Sequence, residues 1–246
     1  MVPVQRKLEE KTRDVFRACV LFRGLPADAC DDLASKAKIK TFKERETIFV
    51  IGAPGKSLMA LLAGKVRISV SSPDGKEITL TTLQSGEIFG EIAVLDGRER
   101  TANAIAATDC RLAELERKDV LYFFDRYPGA WHSLVNVLCD RLRRTDQHLA
   151  ELALLPLTSR LAITLLRAAE MRQVDGRSLV QVHLSQREIG NLVGVSRESV
   201  NKVMHEWQKA GLVMIKDKTI IILRRDLLEH LSEERSVSRK YAHRWP

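Results

Sequence analysis

Between residues 41 and 116 short apolar runs alternate with strong turn signals: TIFVI before GAPG, SLMALLAG, KVRISVSS before PDGK, EITLTTL before QSGE, then TANAIAA and CRLAELE. Many short strands punctuated by Gly and Pro predict an antiparallel barrel or roll rather than a parallel sheet, with an interior that could hold one small ligand. Upstream, Leu8 to Lys38 reads as mostly helical; downstream the period changes. From Trp131 the apolar residues fall at 131, 135, 138, 142, 149 and 152, the spacing of a heptad seam. With Val135, Leu142 and Leu149 at a, and Leu138, Thr145 and Leu152 at d, the stripe predicts a long helix built to pair with another helix. Thr145 is its polar member, so its hydroxyl either bonds back to its own helix or meets a ligand at the paired interface. Pro156 ends the helix, because its ring clashes with the preceding turn and it has no amide donor, leaving residues 155 to 158 as a candidate hinge. A second helical pattern, LTSRLAITLLRAAEMR, leads into a polar loop, QVDGRS, and after residue 235 the tail SVSRKYAHRWP is basic and poorly patterned.

The stretch HLSQREIGNLVGVSRESVNKVMHEWQKAGLV carries the densest set of local signals. Ser185 with Glu188 three residues later forms a capping box, starting a helix whose Ile189, Leu192 and Val193 face inward. Gly190 permits a close approach, Gly194 supplies a turn, and Ser196 caps a second helix with Val200 and Val203 inward and Arg197, Glu198, Asn201 and Lys202 outward. This is a helix-turn-helix pattern. Arg197 is placed to bind guanine O6 and N7, and Glu198 to accept from cytosine N4. GLVMIKDKTIIIL then reads as a two-stranded wing whose Lys216 and Lys218 would meet phosphates without reading sequence. The candidate DNA-contacting set is Ser185, Gln186, Ser196, Arg197, Glu198, Ser199, Asn201, Lys202, Lys216 and Lys218.

Charge agrees with that placement. From Pro156 onward there are 16 Lys and Arg against 10 Asp and Glu, net +6, which leaves +2 of the total +8 for the first 155 residues. No apolar run approaches the roughly 18 residues of a membrane span, and MVPVQRKLEEKTRDVF has no leader-like apolar core, so a cytoplasmic protein with no membrane partner is expected. Cys19, Cys30, Cys110 and Cys139 form no CxxC pair and the six histidines no cluster, so no metal is expected. No P-loop, HExxH or GxSxG occurs, and no catalytic residue is expected.

FGEIAVLDGRERTA, Phe89 to Ala102, sets the Glu91 carboxylate and the Arg100 guanidinium about ten residues apart, each beside small residues. A guanidinium suits a phosphate, and the amides of Glu91 and Ile92 at the start of a short helix offer an anion site. Together with EIGNLVGVSRESVNKVM, this stretch is where the chain resembles the cyclic AMP receptor protein and fumarate-nitrate regulator (Crp/Fnr) family of bacterial transcription factors, over roughly residues 15 to 225. The resemblance implies an α+β protein. Its parts would be an N-terminal antiparallel β-roll (jelly-roll-like, cyclic-nucleotide-binding) over 1–126, a dimerisation helix over 127–155 and a winged helix-turn-helix over 156–235; the basic tail over 236–246, by its poor patterning, is expected to be mobile. It also implies that Glu91 accepts the ribose 2′-hydroxyl and Arg100 pairs with the cyclic phosphate. Gly90, Ile92, Thr101 and Ala102 would complete the cradle, with Thr145 touching the purine and Asp146 beside it.

Departures from the family pattern leave the effector open between cyclic AMP, the favoured reading, and cyclic GMP. Thr101 stands where the best-known cyclic AMP receptor has serine, and Asp146 where that receptor has a second hydroxyl residue. Lys202 replaces a base-reading arginine and cannot reproduce its bidentate fork, which predicts a half-site relaxed at one position. The resemblance further implies a homodimer through the 131–155 helix, a palindromic DNA site, and RNA polymerase as partner. Iron–sulfur sensing would need more clustered cysteines, haem sensing has no histidine before Trp131 to support it, and an enzyme's regulatory subunit would have no use for the helix-turn-helix. A ligand-independent regulator with a vestigial pocket is the remaining rival.

Overall fold

The computed structural model describes residues 19, 26–174, 177–216 and 219–233. The chain forms two compact units, one of residues 1–75 and 79–143, the other of residues 76–78 and 144–246. In the first, helix α1 (Ala27–Lys36) precedes strands β1 (Lys38–Phe42), β2 (Thr47–Phe49), β3 (Ser57–Ala63), β4 (Lys65–Ser71), β5 (Glu77–Gln84) and β6 (Ile88–Phe89). The short helix α2 (Glu91–Asp96), strands β7 (Asn103–Ala106) and β8 (Cys110–Glu116), and helix α3 (Arg117–Arg126) follow. Two four-stranded sheets, ordered β1-β8-β3-β6 and β2-β7-β4-β5, make the expected roll. β8 runs antiparallel to both β1 and β3, β6 to β3, and β7 to both β2 and β4.

Alternation explains why SLMALLA in β3 is buried at every position but the last. Met59 and Leu61 point into the roll with Val66, Leu83, Phe89 and Leu112, while Leu58, Ala60 and Leu62 point the other way onto Leu33, Phe123, Phe124 and Leu134 of the helices. β8 divides likewise, Cys110 and Leu112 inward, Ala113 and Leu115 toward the helices. One strand thus separates two cores. The helical reading up to Lys38 is corrected at its end: Lys38–Phe42 is strand β1, held by its ladder to β8. Nearly all of the helix expected upstream of Pro26 lies outside the described residues.

Helix α4 (Gly129–Leu154) is the long helix that the apolar stripe predicts, ending two residues before Pro156. Its stripe is two stripes. Ala130 and Leu134 are buried and Leu138 packs partly onto the helical-side core, and Trp131 stacks on Phe124 at 4.4 Å. Leu152 lies beside Gly194. The a positions Val135, Leu142 and Leu149 instead stay 51%, 62% and 64% exposed. So Leu138 and Leu152, expected at d in the seam, pack within the chain, because side chains that a helix turns onto its own core are not available to a partner.

The second unit continues with α5 (Leu157–Ala168), a hairpin of β9 (Glu170–Val174) and β10 (Arg177–Val182), then α6 (Gln186–Val193), α7 (Arg197–Lys209), β11 (Val213–Lys216), β12 (Thr219–Ile222) and α8 (Arg225–Glu233). The expected helix through Arg172 stops at Ala168, and Gln173, Val174, Arg177 and Ser178 of the expected polar loop lie in β9 and β10, while Asp175 and Gly176 lie outside the described residues. β10 pairs with both β9 and β12, so the wing is a four-stranded sheet, β11-β12-β10-β9. Cross-strand pairing overrides the helix propensity of AAEMR, which local pattern alone cannot reveal. Leu161, Leu165, Ile189, Val193, Val200, Met204, Trp207 and Leu228 close the core of this unit.

At the corner between α4 and α5 the His148 Nε2 is buried without a hydrogen-bond partner among the described residues, and the nearby charges are Glu151, Arg160 and Arg167. Burial, reinforced by the two arginines against Glu151, holds the imidazole below its ordinary value of 6.5. The unfolded chain therefore binds the proton first, and stability falls as pH drops from that value through the lower native one. Thermal unfolding followed from about pH 7.5 to about pH 5 should show this acid-side loss in the wild type and less of it in His148→Gln.

Candidate functional site

In the roll, Gly90 ends β6 in the left-handed conformation, φ 79°, and starts α2. A Cβ there would lie 2.4 Å from Arg100 Nη1, so glycine is required both by the backbone and by the guanidinium packed against it. Arg100 is 5% exposed. Its Nη1 donates to the Gly90 carbonyl at 2.9 Å, and its Nη2 to the Ser57 carbonyl at 2.7 Å and to Ser57 Oγ at 3.2 Å. The guanidinium also lies over the Phe49 ring, 4.2 Å from its centroid. Burial lowers the proton affinity of Arg100, with Glu114 and then Glu91 opposing that pull. The cation is therefore kept in a largely desolvated place with neutral groups as its direct partners, which leaves it poised for an anion.

Glu91 is 3% exposed. Its Oε1 accepts from Arg141 Nη1 at 2.5 Å, and Arg141 Nη2 donates to the Ile88 carbonyl. Its Oε2 is buried and has no partner. A buried acceptor of this kind calls for a donor that the described residues do not supply. A carboxylate wanting a hydroxyl and a guanidinium wanting an anion, joined through Gly90, fit a sugar hydroxyl and a phosphate on one small molecule.

Of the expected cradle, Gly90, Glu91 and Arg100 come together; Ala102 is buried, and Ile92 (45%) and Thr101 are exposed. Thr145 and Asp146 are exposed on α4. Two residues that sequence reading passed over belong to the cradle, Ser57 at the start of β3 and Arg141. Arg141 stands four residues before Thr145, so the two share one face of α4, a spacing from which Arg141 was legible.

In the second unit the capping box is present as expected: Ser185 Oγ accepts from the Glu188 amide at 3.2 Å and Glu188 Oε2 from the Ser185 amide at 2.7 Å. Ser196 Oγ accepts from the Ser199 amide at 3.2 Å at the start of α7. Gly190 is required because a Cβ would come 2.8 Å from the Val195 carbonyl oxygen. Val200 and Val203 are buried while Arg197, Glu198, Asn201 and Lys202 are exposed along one side of α7. Leu192, expected inward, is only half-buried. Gln186 Nε2 donates to Asn201 Oδ1 at 3.1 Å, tying the start of α6 to the outer face of α7. The Glu198 carboxyl is held below its ordinary range by its own backbone amide, then Ser196 and Arg197, so it stays an acceptor at neutral pH. Lys216 is exposed at the end of β11, and Lys218 lies outside the described residues. Among the described residues there is no cluster of metal-ligating side chains, and no helix is long and apolar enough to cross a membrane.

Residues 39–127 match the model of the cyclic nucleotide-binding domain, and residues 159–231 that of the Crp-like helix-turn-helix domain. The chain belongs to the Crp/Fnr family of transcriptional regulators. It is 33% identical over 211 residues to the CRP-like cAMP-activated global transcriptional regulator of Mycobacterium tuberculosis, covering 85% of this chain and 94% of that one. It is 34% identical over 212 residues to the cyclic AMP receptor protein of Thermus thermophilus, covering 86% and 96%. Among solved structures, the c-di-GMP-responsive global regulator CLP of Xanthomonas campestris aligns with a TM-score of 0.73 at 26% identity, over 80% of this chain and 99% of that one. A CRP/FNR-family regulator of Thermus thermophilus aligns with a TM-score of 0.69 at 29% identity, over 81% and 100%.

Gly90→Ala should cost about 1–3 kcal/mol of stability in denaturant unfolding, because it combines a disfavoured φ with a methyl group driven into Arg100.

Proposed function

We propose that this protein is a homodimeric transcriptional regulator whose roll binds a cyclic nucleotide, cyclic AMP in the favoured reading with cyclic GMP as competitor, and whose helix-turn-helix reads a palindromic DNA site. The observation that carries it is the buried, unpartnered Glu91 Oε2 linked through Gly90 to the buried Arg100 guanidinium. The ribose 2′-hydroxyl donates to the first and the cyclic phosphate meets the second, while Ile92, Thr101 and Ala102 border the phosphate. The names of two relatives, cAMP-activated and cyclic AMP receptor, favour cyclic AMP. The exposed Thr101 hydroxyl keeps a guanine amino group within the chemistry of the site.

A second copy covers the exposed row of Val135, Leu142 and Leu149 on α4, since an apolar stripe of this kind is stable only against another helix. Thr145 and Asp146, exposed on the same helix, then lie at the seam, where they contact the purine. Ligand binding would shift the protein between two arrangements of the paired helices through its differential affinity for them, with the Pro156 corner transmitting the change. On DNA, Arg197 and Glu198 read base edges, Asn201 and Lys202 extend the contact, and Lys216 with Lys218 holds phosphates. Ser185, Gln186, Ser196 and Ser199 sit at the helix starts, where phosphate contacts orient the domain. RNA polymerase is the further partner this reading expects, in the cytoplasm.

Isothermal titration of the dimeric protein with cyclic AMP and with cyclic GMP tests the pocket. Binding should be weakened about 10- to 100-fold in Arg100→Ala, the loss of charge-assisted bonds worth about 1.5–3 kcal/mol. No heat from either nucleotide with folded, dimeric protein would leave a DNA-binding regulator of other or no ligand. An unchanged affinity and selectivity in Thr145→Ala would remove the seam contact. Selection of DNA sites with Arg197→Ala should relax one position of each half-site at a cost of about 1–3 kcal/mol.

A further inference from the structure

Among the described residues the direct partners of the Arg100 guanidinium are neutral: the Gly90 and Ser57 carbonyls, the Ser57 hydroxyl and the Phe49 ring. A buried cation in such surroundings still requires a counter-charge. Glu91 is already committed at one oxygen to Arg141. Glu114 on β8 is connected differently. Ser57 Oγ, which accepts from Arg100 Nη2 at 3.2 Å, donates its own proton to Glu114 Oε1 at 3.0 Å. The other oxygen of Glu114 meets Lys40 Nζ of β1 at 2.8 Å, with the Glu114 side chain 17% and the Lys40 side chain 46% exposed. The sheet register accounts for the chain of contacts. Ser57 lies opposite Glu116 and Glu114 opposite Lys38, so Ser57, Glu114 and Lys40 are diagonal neighbours on one face.

We infer that Glu114, acting through Ser57, is the resident counter-charge of Arg100, that a bound cyclic phosphate takes over this role, and that Glu114 with Lys40 sets how tightly the pocket holds its ligand. The exchange rests on reading the cradle as a cyclic-nucleotide site. Of the two carboxylates that sustain the protonated Arg100 against burial, Glu114 contributes more than Glu91. A phosphate arriving at Arg100 is attracted by the guanidinium and repelled by the Glu114 carboxylate behind it. Lys40 neutralises part of that repulsion. Glu114 and Lys40 therefore act on affinity with opposite signs, although neither touches the ligand; both are positioning residues.

The test uses the full-length protein, cyclic AMP titration and two substitutions. Glu114→Gln keeps an acceptor for Ser57 and removes the charge; affinity should tighten about 3- to 10-fold. Lys40→Met leaves Glu114 less neutralised, and affinity should weaken about 2- to 3-fold. A role in packing alone would make both weaken binding or leave it unchanged, and either result overturns the inference. If Glu114→Gln does not fold, Lys40→Met carries the test, and no loss of affinity in it is the overturning result. A ligand-free arm measures unfolding of Glu114→Gln, Arg100→Gln and the double variant. The cost of removing the Glu114 charge should largely vanish once Arg100 is gone, and an equal cost in both backgrounds overturns the counter-charge. Failure of the wild type to bind either cyclic nucleotide overturns the cradle reading and the exchange with it, while coupling in the ligand-free arm would still uphold the counter-charge.

Discussion

The burial of one guanidinium organises the roll. Arg100 is brought inside by the strand-like segment after α2, whose amide donates to the Ala53 carbonyl and whose carbonyl accepts from the Gly52 amide. Once inside, its donors must find acceptors, and they find backbone oxygens at Ser57 and Gly90. That demand dictates glycine at 90, places Glu91 at the first turn of a helix beside it, and puts Ser57 at the start of β3. The direct partners solve the hydrogen bonds but not the charge. A protein that keeps an arginine in this state holds binding energy ready for an anion, since little reorganisation is needed when one arrives.

The second unit uses the same economy of means with different chemistry. Its two central helices are started by side-chain caps at Ser185 and Ser196, and their close turn is possible because Gly190 has no Cβ to meet the Val195 carbonyl. Burying Ile189, Val193, Val200 and Met204 on one side leaves Arg197, Glu198, Asn201 and Lys202 on the other by helical geometry alone. The outward face is thus a consequence of the core. Rigid caps and a tight turn hold the outward side chains in register, which is what reading base edges in a groove demands.

The helix-turn-helix and the cassette were legible because each is encoded over a short stretch: caps, glycines and alternating faces lie within a few residues of one another, and so do Gly90, Glu91 and Arg100. The hairpin after α5 was not, since Glu170 to Val174 becomes a strand only when Val180 and its neighbours pair with it. The α4 stripe was half legible. Periodicity located the apolar residues, but Leu138 packs on the chain's own core while Val135, Leu142 and Leu149 do not, and a heptad drawn on one helix carries no record of which neighbour each face meets. Ser57 stayed hidden for a related reason, since it joins the cradle from far along the chain and a serine is not distinctive where it stands, whereas Arg141 left its four-residue spacing from Thr145 as the one local signal.

By itself the sequence determined the order of the parts, the positions of the caps and special glycines, the family, and the charged pair at the heart of the cradle, because all of these rest on local spacing. Only the tertiary structure decided which groups meet Arg100 and Glu91, which oxygen of Glu91 lacks a partner, how Glu114 reaches the guanidinium, and which face of α4 remains open. Those facts depend on strands and helices distant in sequence arriving at one place, and the energies of buried polar groups are set by that meeting, not by the residues taken in order.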